Sequence, residues 1–468
     1  MHYKNALCVY PHMVGDPEKK WFPPIGLEYI ATALESLVES LTLIDMRFDH
    51  NVDDHIRNAD LICLSVNWDY QLNAALDLIA RIPSHIMVVM GGRYATLHTE
   101  EFFAAPGSPN VIVRGDGEEA IQEIASGVPL KDITGISYRE NGKVIHNRVR
   151  DLSPLSDRLY PNRTLRRVDY RLLFKNIDIG TRVDYISTSR GCPNNCRFCT
   201  FTSYPLRRKR DWSGRSASSV IEELKAIDAN FIFVVDDNFA ASMERVEAIC
   251  DLIIAEGIKK IFAVALRIEI YKHPSILAKM SRAGFRILTI GIESAQDRTL
   301  EAMKKGFTTA LAETALREIR KVPFYIHGYF IVGCIGESYR EMLEIAAFAK
   351  RLRLDTIDLS LLRTEKYSPL NEVVAASKGY YVGEGNIVCC EEYDRDRLRA
   401  IRREIYASYY NVITIVRILR HVISSRVISF EYVYKAKFMC FFGSVLRESR
   451  KTRSLWTYLW KEIFRTPD

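Results

Sequence analysis

A chain of 468 residues is long enough for two or three domains with cores of their own. Apolar residues at 48% and charged residues at 26% describe an ordinary globular protein, and a net charge of +7 at this length is no argument for nucleic acid. Ten cysteines, three of them clustered, do not make a secreted disulfide framework. No run of about twenty uncharged apolar residues offers a spanning helix, and the N-terminus reads as a strand rather than a signal peptide. A reducing cytoplasm is the expected compartment.

Apolar runs at 4–10, 41–45, 60–66, 86–90 and 111–113 read as strands, with helical patterns at 25–38, 70–82 and 118–126 between or after them. Strict alternation predicts a parallel sheet covered on both faces, whose ligands bind beyond the carboxyl ends of its strands. Gly91-Gly92 follows the fourth strand and Gly115-Asp116-Gly117-Glu118 the fifth, where glycine permits tight turns and close backbone approach to a ligand. No phosphate-loop or Gly-x-Gly-x-x-Gly pattern supports a nucleotide site. Asn141-Gly142 between two short apolar runs signals a hairpin. The stretch 150–175, rich in arginine with prolines at 154 and 161, reads as a linker with solvated arginines.

Cys192, Cys196 and Cys199 follow the apolar run 183–188, on the loop that leaves the C-terminal end of a strand. Three thiolates on one short loop, with no fourth ligand nearby, suit a four-iron cluster with one iron left open. A structural zinc site wants a closed tetrahedral set, of which only half is here. The spacing, with Phe198 before the last cysteine, resembles the signature of the radical S-adenosylmethionine (radical SAM) superfamily. That resemblance implies a 4Fe-4S cluster whose open iron chelates SAM and cleaves it to a 5′-deoxyadenosyl radical. It also implies an external electron donor such as flavodoxin or ferredoxin.

Further strands at 231–235, 261–266, 286–292, 324–332 and 356–361 alternate with helices at 218–227, 243–255, 274–283, 309–320 and 337–352. Six such units predict a partial (β/α)6 barrel with chemistry at the carboxyl ends of its strands. Polar residues gather there. Asp237, Arg267, Glu293 and Ser294 are candidate SAM-binding residues, since a zwitterionic sulfonium cofactor needs a cation for its carboxylate and acceptors for its amine and ribose. Asp237 and Glu337 are equally readable as helix caps. Cys334 reads as a small buried hydrophobe before it reads as a catalytic thiol.

Phe22-Pro23-Pro24-Ile25-Gly26-Leu27-Glu28-Tyr29, Gly91-Gly92 and Gly115-Asp116-Gly117-Glu118 are similar to the cobalamin-binding subgroup of the superfamily. So are Gly291-Ile292-Glu293-Ser294 and Gly328-Tyr329-Phe330-Ile331-Val332-Gly333. The resemblance implies a flavodoxin-like domain over 1–148 in which Gly91, Gly92, Gly115, Gly117 and Glu118 meet cobalamin. A linker over 149–181, a radical SAM partial barrel over 182–365 and a basic, mostly helical region over 366–468 follow. Asp45-Met46-Arg47 does not complete an Asp-x-His-x-x-Gly motif, so cobalt is expected to bind without a histidine ligand.

From Arg395 on, 16 Lys and Arg stand against 6 Asp and Glu. Val412, Ile415, Val416, Leu419, Val422 and Ile423 share a helical face beside Arg417, Arg420 and His421, and basic residues precede Leu455-Trp456-Thr457-Tyr458-Leu459-Trp460. This region reads as a helical cap on the barrel, or else as a peripheral contact with anionic lipid at the inner membrane surface. The expected function is methylation of an unactivated carbon of a lipid or another small natural product. Radical cyclisation, rearrangement or coupling without methyl transfer is the alternative, and a non-catalytic iron–sulfur or zinc protein the reading of another class.

Overall fold

The structure, a computed structural model, describes residues 2–13, 22–174 and 177–424. They fall into two compact units: Met1–Arg171 with Tyr204–Lys209, and Leu172–Ser203 with the chain from Arg210 on.

The first unit runs β1 (Asn5–Tyr10), α1 (Ile25–Leu34), β2 (Ser40–Asp45), α2 (Asp53–Ile56), β3 (Leu61–Ser65), α3 (Gln71–Arg81) and β4 (Met87–Gly91). It continues through α4 (Arg93–Leu97), α5 (Thr99–Ala104), β5 (Val111–Val113), α6 (Glu118–Ala125), β6 (Ile136–Glu140) and β7 (Lys143–His146). The sheet order is β2-β1-β3-β4-β5-β6-β7, parallel as far as β5 and antiparallel after it. This is the flavodoxin-like winding expected, with its order reversing between β1 and β3.

The alternation of β1 explains the two layers. Ala6, Cys8 and Tyr10 pack with Leu27, Ala31 and Leu34 of α1 and with Ile121 and Ile124 of α6. Leu7 and Val9 face the other way, into Leu78 and Ile79 of α3 and Phe102 of α5. The helices α4 and α5 were not expected, because a break at His98 leaves each too short to show a period. The hairpin turn is as expected, with Asn141 and Gly142 both at positive φ.

The arginine-rich stretch differs from its expectation. Arg166 reaches Glu28 at 2.7 Å with side chains 11% and 2% exposed. Arg150 pairs with Glu123, and the buried Tyr170 donates to Asp45 at 2.9 Å. A carboxylate buried in a helix face requires a cation, so these side chains are packed rather than solvated.

The second unit opens with β8 (Arg171–Phe174) and β9 (Ile177–Ile186), then β10 (Ser189–Arg190), β11 (Ser213–Gly214), α7 (Ala217–Ala226) and β12 (Phe231–Val234). It proceeds through α8 (Met243–Ala255), β13 (Ile261–Leu266), α9 (Pro274–Ala283), β14 (Phe285–Glu293), α10 (Asp297–Ala302), α11 (Thr309–Ile319) and β15 (Tyr325–Val332). Then come α12 (Tyr339–Arg351), β16 (Thr356–Leu361), α13 (Leu370–Ala376), β17 (Tyr380–Val382), β18 (Val388–Cys390), α14 (Arg395–Tyr409) and α15 (Val412–Ser424).

Strands β9, β12, β13, β14, β15 and β16 pair in that order, all parallel, as the half-barrel expectation requires. Ile326, Phe330 and Val332 of β15 are buried with Leu316 and Ile319 of α11 and Ile345 and Phe348 of α12. The alternate residues His327 and Tyr329 turn away from the helices and are less buried, Tyr329 at 39% exposure. The barrel's inner face is therefore partly polar.

Leu398, Ile401, Ile405 and Tyr409 of α14 join the same core, which makes the described part of the C-terminal region a cap. Of the apolar face expected on α15, Ile415 is half-buried and Val416 exposed, and burial of the others lies outside the described residues. The polar side chains beside that face are packed: Arg417 donates to the Leu354 carbonyl at 2.8 Å and His421 meets Asp355 at 2.7 Å. Asp355 is 1% exposed and pairs with Arg320 at 2.8 Å, so its buried charge is met by a cation from the end of α11. The Trp- and Tyr-rich segment beyond lies outside the described residues. No helix among the described residues is long and apolar enough to cross a membrane.

Candidate active site

The cysteine loop begins where β9 ends, and three groups fix its first residues. Asp236, just past β12, accepts the Thr188 amide and the Ser189 hydroxyl, each at 2.6 Å. Its own burial pushes that carboxyl above the usual range. Arg245 of α8 donates to the Thr188 carbonyl at 2.6 Å. Arg215 takes the Ser187 carbonyl at 3.3 Å and pairs with Glu223, both side chains fully buried. Removing one partner of such a pair costs about 3–5 kcal/mol, so this support is rigid. Gly191 has φ +86, and a Cβ there would stand 2.6 Å from the Asp211 carbonyl. Only glycine makes that turn without displacing the backbone.

Asp237 completes the clamp. Its Oδ2 accepts the Gly191 amide at 2.8 Å, so this carboxylate holds the cysteine loop rather than capping a helix. Ser242 caps α8 instead. Glu337 is no cap either: it accepts the Ser294 hydroxyl at 2.7 Å, and Ser338 with Glu341 forms the capping box of α12. Burial raises the Glu337 carboxyl.

Cys196 is 7% exposed, while Cys192 and Cys199 are half-buried. Burial, with Cys196, Cys192 and Asp237 as charged neighbours, pushes the Cys199 thiol up to about 11. Asn194 Nδ2 lies 3.4 Å from Cys192 Sγ, and Arg267 Nη1 lies 3.6 Å from Cys196 Sγ. Donors aimed at sulfur fit thiolates that bind irons. Among the described residues no three His, Cys, Asp or Glu side chains converge as ligands of one metal ion, which is what a structural zinc would need.

The loop rests on the segment after α10. Arg197 donates its amide to Met303 at 3.0 Å, and Lys305 Nζ lies 5.6 Å from the Phe198 ring centre. Lys305 pairs with Glu293 at 2.8 Å, both side chains under 10% exposed. Glu293 has φ +74, at a break in register with β15. A bulge of this kind re-aims a side chain at a sheet rim, and positive φ in a non-glycine residue marks strain held by its surroundings. A Cβ at Gly291 would lie 2.2 Å from the Glu293 carboxylate, which explains that glycine. Cys334 is buried among Met303, Ile331 and Leu362, and burial holds its thiol well above the ordinary range, as a buried hydrophobe should be.

In the first unit the candidate glycines lie at the carboxyl ends of β4 and β5. Gly92 has φ +103, and a Cβ there would stand 2.5 Å from the Val66 carbonyl. Gly115 donates its amide to Thr96 at 3.2 Å and faces Pro205. Gly117 lets the start of α6 approach Ile30, and Glu118 is the first residue of that helix. These glycines let the chain pack closely at the carboxyl ends of β4 and β5. Sequence reasoning missed Trp68, 49% exposed just past β3 and stacked on Tyr70. It also passed over His12, 3% exposed just past β1. The position after β3 was the available signal, since the flavodoxin-like fold that the resemblance implies reverses its strand order between β1 and β3. Arg47, where a motif histidine was sought, is locked to Asp45 in a pair only 4% and 2% exposed.

The family model described as radical SAM superfamily matches residues 186–349, and that of the B12 binding domain matches residues 16–125. The chain is 27% identical over 418 residues to an uncharacterized methyltransferase of Pyrococcus horikoshii, spanning 83% of this chain and 88% of that one. It is 23% identical over 329 residues to an anaerobic magnesium-protoporphyrin IX monomethyl ester cyclase of Synechocystis, spanning 65% and 63%. Its fold is like that of the radical S-adenosylmethionine methyltransferase TsrM of Kitasatospora setae, solved with cobalamin and a 4Fe-4S cluster. The TM-score is 0.65 at 17% identity, over 86% of this chain and 81% of that one.

Proposed function

Because the chain belongs to the radical SAM superfamily and carries a B12 binding domain, we propose that it is a cobalamin-dependent radical SAM methyltransferase acting on an unactivated carbon. When bound, the cluster and SAM supply a carbon radical and cobalamin carries the methyl group. The observation that supports this reading most is the clamped three-thiol loop at the carboxyl end of a six-stranded half-barrel, in a chain that also has the doubly wound domain.

In this proposal Cys192, Cys196 and Cys199 hold the cluster, and Asp237 and Arg267 meet SAM at the edge of the cysteine loop. Glu293 offers a carboxylate to the amine or ribose of SAM, with its orientation set by Lys305, and Ser294 is held in place by Glu337. Gly91, Gly92, Gly115, Gly117 and Glu118 form the cobalamin rim. The substrate lies against the barrel's inner face, where His327 meets Thr356 at 2.8 Å beside Tyr329 and Asp358. Those groups suit a small molecule with at least one polar end, and the cluster would take its electron from an external donor protein.

Anaerobic reconstitution followed by product analysis tests the reading. S-adenosylhomocysteine and 5′-deoxyadenosine forming together are expected, and replacing all three cysteines by alanine should abolish both. The similarity to a cyclase favours the second reading, radical chemistry without methyl transfer. Turnover yielding 5′-deoxyadenosine alone would establish that reading instead. Zinc without iron after anaerobic purification would remove both. For the cobalt ligand, electron paramagnetic resonance of the cob(II)alamin form should show no nitrogen splitting. Splitting that disappears in His12→Ala would replace this expectation with His12 ligation.

A further inference from the structure

We propose that Arg267 sets the reduction potential of the iron–sulfur cluster through Cys196, and that Glu269 holds this influence in check. The proposal rests on reading the cysteine loop as the cluster site. Arg267 is the first residue past β13, with its side chain 14% exposed. Every edge of its guanidinium is engaged. Nε lies 3.1 Å from both carboxylate oxygens of Glu269, and Nη2 takes Glu269 at 2.7 Å and the Lys305 carbonyl at 2.5 Å. Nη1 points at Cys196 Sγ, 3.6 Å away, and the Phe307 ring lies 5.9 Å from the guanidinium carbon.

This arrangement adds a task to the one expected of Arg267. Its fork is already spent on Glu269, so turning it fully toward a cofactor carboxylate would forfeit a bidentate ion pair. What it presents without rearrangement is one N–H and a positive charge at the most buried of the three cluster sulfurs. A donor to a cluster thiolate and a nearby cation both favour the more negatively charged, reduced cluster, and so raise its potential. Glu269, half-exposed beside it, offsets that charge. The neighbouring cation Lys305 is likewise balanced by its own carboxylate, Glu293. The site therefore carries two compensated cations, of which only Arg267 touches a sulfur among the contacts described.

Potentiometric titration of the reconstituted cluster with dithionite and mediators, read by electron paramagnetic resonance without SAM, tests this. Relative to the unaltered protein, Arg267→Gln should move the midpoint to more negative values. Arg267→Lys should shift it less in the same direction, and Glu269→Gln should move it to more positive values. Opposite signs from two neighbouring substitutions are not what a merely structural pair would give. Equal midpoints at equal iron and sulfide content overturn the proposal and leave the cluster reading intact. Should Arg267→Gln load no iron, the Glu269→Gln titration decides, and no positive shift there overturns it. Absence of any 4Fe-4S signal in the unaltered protein overturns the cluster reading and this proposal with it.

Discussion

At the scale of single residues, the inner face of the barrel holds a titratable group whose state can be argued. Burial lowers the His327 pKa, against a weaker opposite pull from Asp358. A folded pKa below the unfolded one means that the unfolded chain binds more protons as pH falls through the ordinary histidine range. Stability contributed at this site is therefore intact above about pH 6.5 and is lost progressively below it. Urea midpoints at pH 7.5 and 5.5 should show a smaller acid loss for His327→Gln than for the unaltered protein. An equal loss in both would mean that His327 titrates normally. Neutral at working pH, the imidazole presents a hydrogen-bonding group and not a cation on the barrel's inner face.

At the scale of elements, two adjacent glycines at the end of β4 make opposite demands. Gly92 combines φ +103 with a Cβ position 2.5 Å from the Val66 carbonyl, so alanine there meets both strain and backbone collision. A Cβ at Gly91 would meet nothing closer than 3.9 Å. Gly92→Ala should destabilise the first unit by about 1–3 kcal/mol or more and weaken cobalamin binding. Gly91→Ala should leave stability nearly unchanged. Thermal melts of both variants and equilibrium binding of hydroxocobalamin check this. A tolerated Gly92→Ala would mean that the β3 and β4 ends are not held this close together. The supports of the cysteine loop follow the same logic. Thr188, Ser189 and Gly191 are each bonded to a residue from another element, so the loop's shape belongs to β12 and α8 as much as to its own sequence.

At the scale of the molecule, each unit has a hydrophobic core of its own. Cofactor loading should therefore separate: the triple cysteine-to-alanine variant should still bind cobalamin, and Gly92→Ala should still load iron. Metal analysis and cobalamin absorbance on both variants measure this, and loss of both cofactors in either one would show that the cores fold together. Alternating apolar runs determined the two parallel sheets, because a strand buried on both faces and a helix with one apolar stripe leave different periods in the chain. Three cysteines in eight residues marked the candidate cluster loop, because ligands so close in sequence need no fold to bring them together. The tertiary structure alone decided what Asp237, Arg267, Glu337 and Arg417 touch. Their partners at Gly191, Cys196, Ser294 and Leu354 lie 43 or more positions away. A buried charge is satisfied by whichever group the packing delivers, and no local pattern records which one that is.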